Sequence, residues 1–262
     1  MVSDDNQYTI SAGLELGEKN RYTSIYPFDS NRVRLRTPGA AKNDYVNASY
    51  ISYFDGPLYI ATQGPLPTTV VDFWRMVWEE HTRVIVMLTT EFENGRPKCH
   101  RYWPPHEGEA AMYGDLCVEF QAEALHPDDS SVIARRLRLT RPAVSDAIVS
   151  ITHLQYVGWV DHCVPENPLG VLRLRQLARQ AQAEGELAAA AEEGADIISI
   201  PMVVHCSAGC GRTGAFCVID TILDIDERQR NGSIFMVVSR FRELRITMVQ
   251  TIKQFVFCHD AL

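Results

Sequence analysis

A chain of 262 residues, 46% hydrophobic and 22% charged, is long enough to bury a complete core and balanced enough to be globular rather than disordered. Its formal charge of −8 argues against broad nucleic-acid or anionic-membrane binding, which needs an extended basic face, while leaving room for a local anion site. Seven cysteines, an odd number without Cys-x-x-Cys spacing, suggest neither a disulfide framework nor a metal site, and they point to a reducing compartment, cytoplasmic or nuclear. The N-terminus carries no apolar signal core, and no stretch nears the roughly 18 consecutive apolar residues of a membrane span. A cytosolic domain of a longer protein would read the same way.

Residues 1–18 are polar and loosely patterned, a lead-in or a short helix. In "VVDFWRMVWEEH", Val70, Phe73, Trp74 and Val77 fall at helical spacing, and "RVIVMLTT" follows as a buried strand. The segments "LCVEFQAEAL", "SVIARRLRLT" and "ITHLQYVGW" alternate as successive strands, separated by polar turns such as "HPDDS". From Leu169 to about Gly194 strong helix formers dominate, and the low-complexity piece "AEGELAAAAEEGAD" reads as a solvated helix end or loop. "IPMVVH" then predicts a central strand and "RTGAFCVIDTILDIDERQR" a long amphipathic helix, with two more helices in "SIFMVVSRFRELR" and "VQTIKQFVFCHDAL". No internal repeat and no Gly/Ser-rich linker interrupts the chain, so a single domain is expected.

The chemistry concentrates in "VVHCSAGCGRTGAF", residues 203–216. A strand ending at His205, a glycine-rich turn and a helix opening near Arg212 make an anion cradle, because helix N-termini carry unpaired N–H groups and about half a unit of positive charge. Gly209, Gly211 and Gly214 let the backbone aim successive N–H groups inward. The nucleotide-binding loop requires Gly-Lys-Ser/Thr, where this chain has Gly211, Arg212 and Thr213, so that reading fails. Cys206 lies at the floor of the cradle, where the positive field favours its thiolate, and Arg212 can return over the rim to grip two oxygens of a bound phosphoryl group. A thiolate beneath a clamped phosphate is aligned for in-line attack.

The string "HCSAGCGRTG" resembles the signature of the cysteine-dependent protein tyrosine phosphatases. In order, "KNRY", "NDYVNAS", "ATQGPLP", "DFWRMVWE", "KCHRYWP" and "VQTIKQF" are similar to further motifs of that family, so the resemblance runs from about Lys19 to the C-terminus. It implies an α/β fold in one catalytic domain, residues 19–262, with a highly twisted mixed central sheet flanked by helices and the phosphate loop between a central strand and a helix. The implied reaction is two-step hydrolysis of phosphotyrosine in proteins, with no cofactor or metal, by a monomer that does not insert into membranes or bind nucleic acid. In it Cys206 is the nucleophile, Arg212 the clamp, Asp161 the general acid and then base, Gln250 the residue positioning water, and Thr213 a hydroxyl that stabilises the departing thiolate.

The same resemblance makes Tyr22 a wall of a deep slot and gives the phosphate to the loop Ser207, Ala208, Gly209, Cys210 and Gly211. It puts Gln254 beside Gln250, Lys98 near the rim and Asp161, and Glu93 against Arg212, with His205 and Trp159 in support. Three departures bear on function. Val160 stands where the family usually has proline, between Trp159 and Asp161, which frees a dihedral and predicts altered turnover. Thr23 and Ser24 stand where an acidic residue often accepts hydrogen bonds from the peptide backbone, so peptide preference is open. Thr247, three residues before Gln250, is expected to narrow a second aryl-phosphate pocket. The rivals are a dual-specificity or phosphoinositide phosphatase, a silent phosphotyrosine-binding module and, more remotely, a thiol protease.

Overall fold

The computed structural model describes residues 7–36, 44–159, 163–196, 198–228 and 231–262. Among these residues eleven strands follow in chain order: β1 (Arg32–Arg34), β2 (Tyr45–Ile51), β3 (Tyr59–Thr62), β4 (Val84–Met87), β5 (Phe92–Glu93), β6 (Arg96–Pro97), β7 (Ala110–Tyr113), β8 (Leu116–His126), β9 (Asp129–Arg141), β10 (Ser145–Tyr156) and β11 (Met202–His205). Six α-helices accompany them among the described residues, besides a short 3-10 turn at Gly17–Lys19: α1 (Ser11–Glu15), α2 (Val70–Glu79), α3 (Leu169–Glu193), α4 (Gly211–Glu227), α5 (Ile234–Leu244) and α6 (Ile252–Asp260). Nine strands form one sheet in the order β1-β2-β3-β11-β4-β10-β9-β8-β7, while β5 and β6 make a separate hairpin.

The sheet is mixed for a reason visible in burial. β3, β11, β4 and β10 run parallel at its centre, and the outer pairs are antiparallel. Central parallel strands are covered on both faces, so they read as continuous apolar runs. All residues of β11 and of β4 are buried. Along β11, Val203 packs on the α2 side with Phe73, Trp74 and Ile85, while Met202 and Val204 pack on the opposite side with residues of α3, α4 and α5. Each large side chain so buried contributes about 2 kcal/mol from lost apolar surface. The period of two also sets the site: His205 continues toward the α2 face, where its ring meets Phe73, and Cys206 joins the core cluster on the α4 face.

The expected helices over 70–81, 169–194, 212–230 and 233–245 correspond to α2, α3, α4 and α5. The helix expected in 249–262 is α6, shorter than its sequence pattern. Thr251 caps the N-terminus of α6, its hydroxyl accepting from Gln254 N–H while the Gln254 side chain returns to the Thr251 N–H, so Val249 and Gln250 stay outside the helix. Within the N-terminal lead-in, α1 is tied down by Asp29, whose carboxylate accepts from the N–H groups of Ser11 and Ala12. Among the described residues no helix is long and apolar enough to cross a membrane.

Candidate active site

The carboxyl end of β11 lies between those of β3 and β4, with His205 in register with Thr62 and Met87. In open α/β sheets that end of the parallel strands is where ligands collect. The chain then turns through Ser207–Cys210 into α4. Gly209 takes φ +72°, and a Cβ there would lie 2.2 Å from the Thr62 carbonyl oxygen, so only glycine fits. Cys210 caps α4 without a side-chain hydrogen bond, which leaves the first N–H groups of the helix for the loop to use. At Gly214 a Cβ would lie 2.4 Å from Val249 N, so this glycine admits the 247–250 segment against the first turn of α4 and brings Gln250 to the site.

Cys206 is 3% exposed at the floor of a cleft of about 360 Å³. The Gly209 N–H donates to its Sγ at 3.3 Å. Burial alone would push the thiol up, but the Arg212 guanidinium, Thr213 and the N–H of Cys210 outweigh it, and the thiol titrates below its ordinary value. The Thr213 hydroxyl makes no hydrogen bond of ordinary geometry, yet it lies near enough to the sulfur to favour the thiolate. The other six cysteines are free thiols as well. Those for which burial dominates, Cys99, Cys210, Cys217 and Cys258, are shifted upward and so stay protonated.

Arg212 is 3% exposed and held from two sides. Its Nη1 donates to Glu93 Oε1 at 2.6 Å and to the Trp159 carbonyl at 2.9 Å, and its Nη2 donates to Glu93 Oε2 at 3.2 Å. Thr89 steadies Glu93 by donating to Oε1 at 2.7 Å. A two-pronged pair of this kind fixes the plane of the guanidinium as well as its place. The Trp159 indole N–H donates to the Cys163 carbonyl at 2.9 Å; Val160 and Asp161, which lie between them in sequence, are outside the described residues.

The Ser207 hydroxyl donates to the Lys98 carbonyl at 3.0 Å, so the Tyr22 hydroxyl, 2.8 Å away, is the donor to Ser207. Ser207 thereby sets the tilt of the Tyr22 ring, which stands in the cleft wall together with Ile25, Lys98 and Gln250. The loop bearing Tyr22 is fastened by Arg21, which donates to the carbonyls of Gly64 and Pro65. Gln254 presses its amide against Gly211 but spends its oxygen on the Gln250 and Thr251 N–H groups. The structure therefore gathers Tyr22, Lys98, Ser207, Ala208, Gly211, Arg212, Gln250 and Gln254 around Cys206, and Thr213 and Glu93 one layer behind.

Arg245 is absent from the sequence reading, and it shapes the loop from beneath. It is fully buried, with Nε donating to the Gly209 carbonyl at 2.8 Å and Nη2 to the Ala208 carbonyl at 3.0 Å and Asn47 Oδ1 at 2.7 Å. Because the N–H and C=O of a peptide plane point in opposite directions, carbonyls drawn to Arg245 turn the N–H groups of Gly209 and Cys210 toward Cys206.

Comparison with known proteins agrees with this geometry. Residues 17–262 match the sequence model of the protein-tyrosine phosphatase family. The chain is 40% identical to human receptor-type tyrosine-protein phosphatase C over 93% of its own length and 18% of that protein's, and 37% identical to rat phosphatidylinositol phosphatase PTPRQ over 93% and 10%. It thus spans less than a fifth of the length of these relatives. The crystal structure of the catalytic domain of human protein tyrosine phosphatase non-receptor type 18 superposes with a TM-score of 0.85 at 36% identity, covering 97% of this chain and 86% of that one. A cysteine-floored loop on a mixed sheet, matched over nearly its whole length by such relatives, places the chain in the protein-tyrosine phosphatase family, a family of phosphoric monoester hydrolases.

Proposed function

We propose that this chain hydrolyses phosphotyrosine in proteins through a cysteinyl-phosphate intermediate. The Cys206 thiolate attacks phosphorus, an S–P bond forms as the bond to the tyrosyl oxygen breaks, and Asp161 hands that oxygen its proton. Water placed by Gln250, with Gln254 beside it, then attacks phosphorus and gives its proton to Asp161. The S–P bond breaks, inorganic phosphate leaves, and Thr213 eases the return of the thiolate. Inward N–H groups of the loop and the guanidinium of Arg212 carry the charge spread over the three equatorial oxygens. Lys98 acts at the rim near Asp161. The catalytic unit is proposed to span residues 19–262 and to work as a monomer, and its free thiols fit a reducing compartment such as the cytoplasm.

One observation carries this reading: a thiol with a lowered pKa at the floor of an open cleft, beside a guanidinium held flat by Glu93. Similarity to a protein named a phosphatidylinositol phosphatase favours phosphoinositides as a second reading. Against it stand the Tyr22 wall and a loop from Ser207 to Gly211 without lysine. Hydrolysis of phosphotyrosyl, phosphoseryl and inositol-phosphate substrates by the same preparation decides, with the phosphotyrosyl peptide expected to lead. Asp161→Ala is expected to keep substrate binding and to lower turnover by about 10²-fold to 10⁴-fold. A variant that turns over at the wild-type rate would remove Asp161 from its role.

Ser24 lines the mouth of the cleft, where a carboxylate would reach the peptide backbone. Ser24→Asp is expected to lower KM for a phosphotyrosyl peptide about fivefold, the equivalent of ~1 kcal/mol for a rim hydrogen bond to a charged group, and to leave KM for a small aryl phosphate unchanged. Equal effects on both substrates would show that the change acts on the slot and not on peptide recognition.

A further inference from the structure

On the side of the phosphate loop away from the cleft, four side chains form a buried chain that ends on the backbone of Cys206. His205 Nδ1 lies 3.1 Å from the Cys206 carbonyl oxygen, and His205 Nε2 lies 2.8 Å from the Tyr102 hydroxyl. That hydroxyl is also 2.8 Å from His153 Nε2, and Arg135 Nη1 approaches His153 Nδ1 at 3.4 Å. Tyr102, His153 and His205 are 0% exposed and Arg135 is 8% exposed, with the guanidinium 4.8 Å above the Trp103 ring.

The two ends fix the direction of every bond between them. A carbonyl only accepts, so His205 carries its proton on Nδ1. Burial, against a smaller opposing effect of that hydrogen bond, pushes His205 down to about 4, so the ring is neutral and Nε2 is a lone pair that receives the Tyr102 proton. Having donated once, the Tyr102 oxygen can only accept from His153 Nε2–H. Burial and the neighbouring Arg135 hold His153 neutral too, which makes its Nδ1 a lone pair, and Arg135 can only donate. Each proton is thus used once, and the two histidines have opposite tautomers. The reversed order would set a lone pair of His205 against the Cys206 carbonyl oxygen.

We infer that Arg135 is a positioning residue for the phosphate loop: by forbidding a proton on His153 Nδ1 it selects the order that keeps a donor on the Cys206 carbonyl. Its consequence for catalysis rests on the reading of Cys206 as the nucleophile, whereas the proton order does not. The guanidinium is itself oriented by Gln155, whose Oε1 accepts from Nη1 at 2.8 Å, and by the ion pair with Glu123 at 2.6 Å. Other charged or titratable groups facing the chain are Arg101 near Arg135, Arg21 near His205, and Arg212 with the thiols of Cys99, Cys210 and Cys217 near Cys206.

The test begins with ¹⁵N-histidine spectra of the wild-type protein, expected to show His205 protonated on Nδ1 and His153 on Nε2. Arg135→Met keeps the packing over Trp103 and removes the donor. It is expected to mix the two tautomers and to raise the apparent pKa for iodoacetate alkylation of Cys206 by about one unit, so that alkylation at pH 6 slows about tenfold, while Arg135→Lys restores most of the rate. A merely structural arginine would lower the melting temperature and move neither the histidine signals nor the alkylation profile. The same tautomer in both wild-type histidines, or a folded Arg135→Met protein with an unchanged profile, overturns the inference. Should the methionine variant not fold, the wild-type spectrum and the lysine variant decide. Wild-type protein lacking phosphatase activity would end the functional reading and leave the spectrum as it is.

Discussion

Cys206→Ser is expected to abolish hydrolysis of phosphotyrosyl peptides and small aryl phosphates, lowering kcat by at least about 10⁴-fold. A hydroxyl ionises far above a thiol, and the local field that brings Cys206 below its ordinary value does so only after overcoming complete burial. That field, from Arg212 and the N–H groups at the loop, is too small to ionise serine, so no nucleophile forms. Binding has the opposite expectation. A neutral serine no longer repels the phosphate dianion, while Arg212 and Glu93 keep their two-pronged pair, so Kd for a phosphotyrosyl peptide is expected to stay equal or to fall. Calorimetry on the variant and steady-state kinetics on both proteins separate the two effects. A serine variant retaining more than about one percent of wild-type turnover would show that the phosphoryl group never passes through Cys206.

What the sequence made legible is what is local. The cysteine loop, its glycines and its arginine fall within ten consecutive positions, where one strand end and one helix start fix their geometry together. α2, α4 and α5 follow from apolar spacing and α3 from its run of strong helix formers, and their ends shift by only a few residues from the pattern. β1, β2 and β3 were not legible as strands, because β2 and β3 are buried on both faces and show no alternation. The β5–β6 hairpin is two residues per strand, too short for any period, yet it is what carries Glu93 to Arg212. Hydrogen-bond partners far apart in the chain were equally hidden. Arg135 did leave a trace: it falls on the same phase of β9 as Leu137 and Leu139, where an arginine is out of place unless it is paired. Trp159 and Cys163 flank the segment proposed to supply the general acid, and Asp161 itself lies outside the described residues.

Arg245 gives no such trace, since it follows the C-terminal end of α5 in the charge-rich run "RFRELR", and its loss is expected to cost more stability than any other single change to the site. Arg245→Met should lower the unfolding free energy by about 3–5 kcal/mol, because the carbonyls of Ala208 and Gly209 and the side chains of Asn47 and Ser49 would be left buried without their donor. The catalytic effect follows from the same atoms. Without a guanidinium drawing those two carbonyls downward, their peptide planes are free to rotate, and the N–H of Gly209, now 3.3 Å from the sulfur, loses its aim. A loop that must order itself around each phosphate is expected to reduce kcat/KM about 100-fold in the folded fraction, comparable to the loss of one preorganised donor to a developing charge. Arg245→Lys should recover little, since one ammonium cannot reach two carbonyls and Asn47 together in the planar fork that arginine provides. Urea titrations give the first quantity and kinetics well below the midpoint the second. A methionine variant as stable as wild type, or one that is less stable yet fully active when folded, would show that the loop holds its inward N–H groups without support from below.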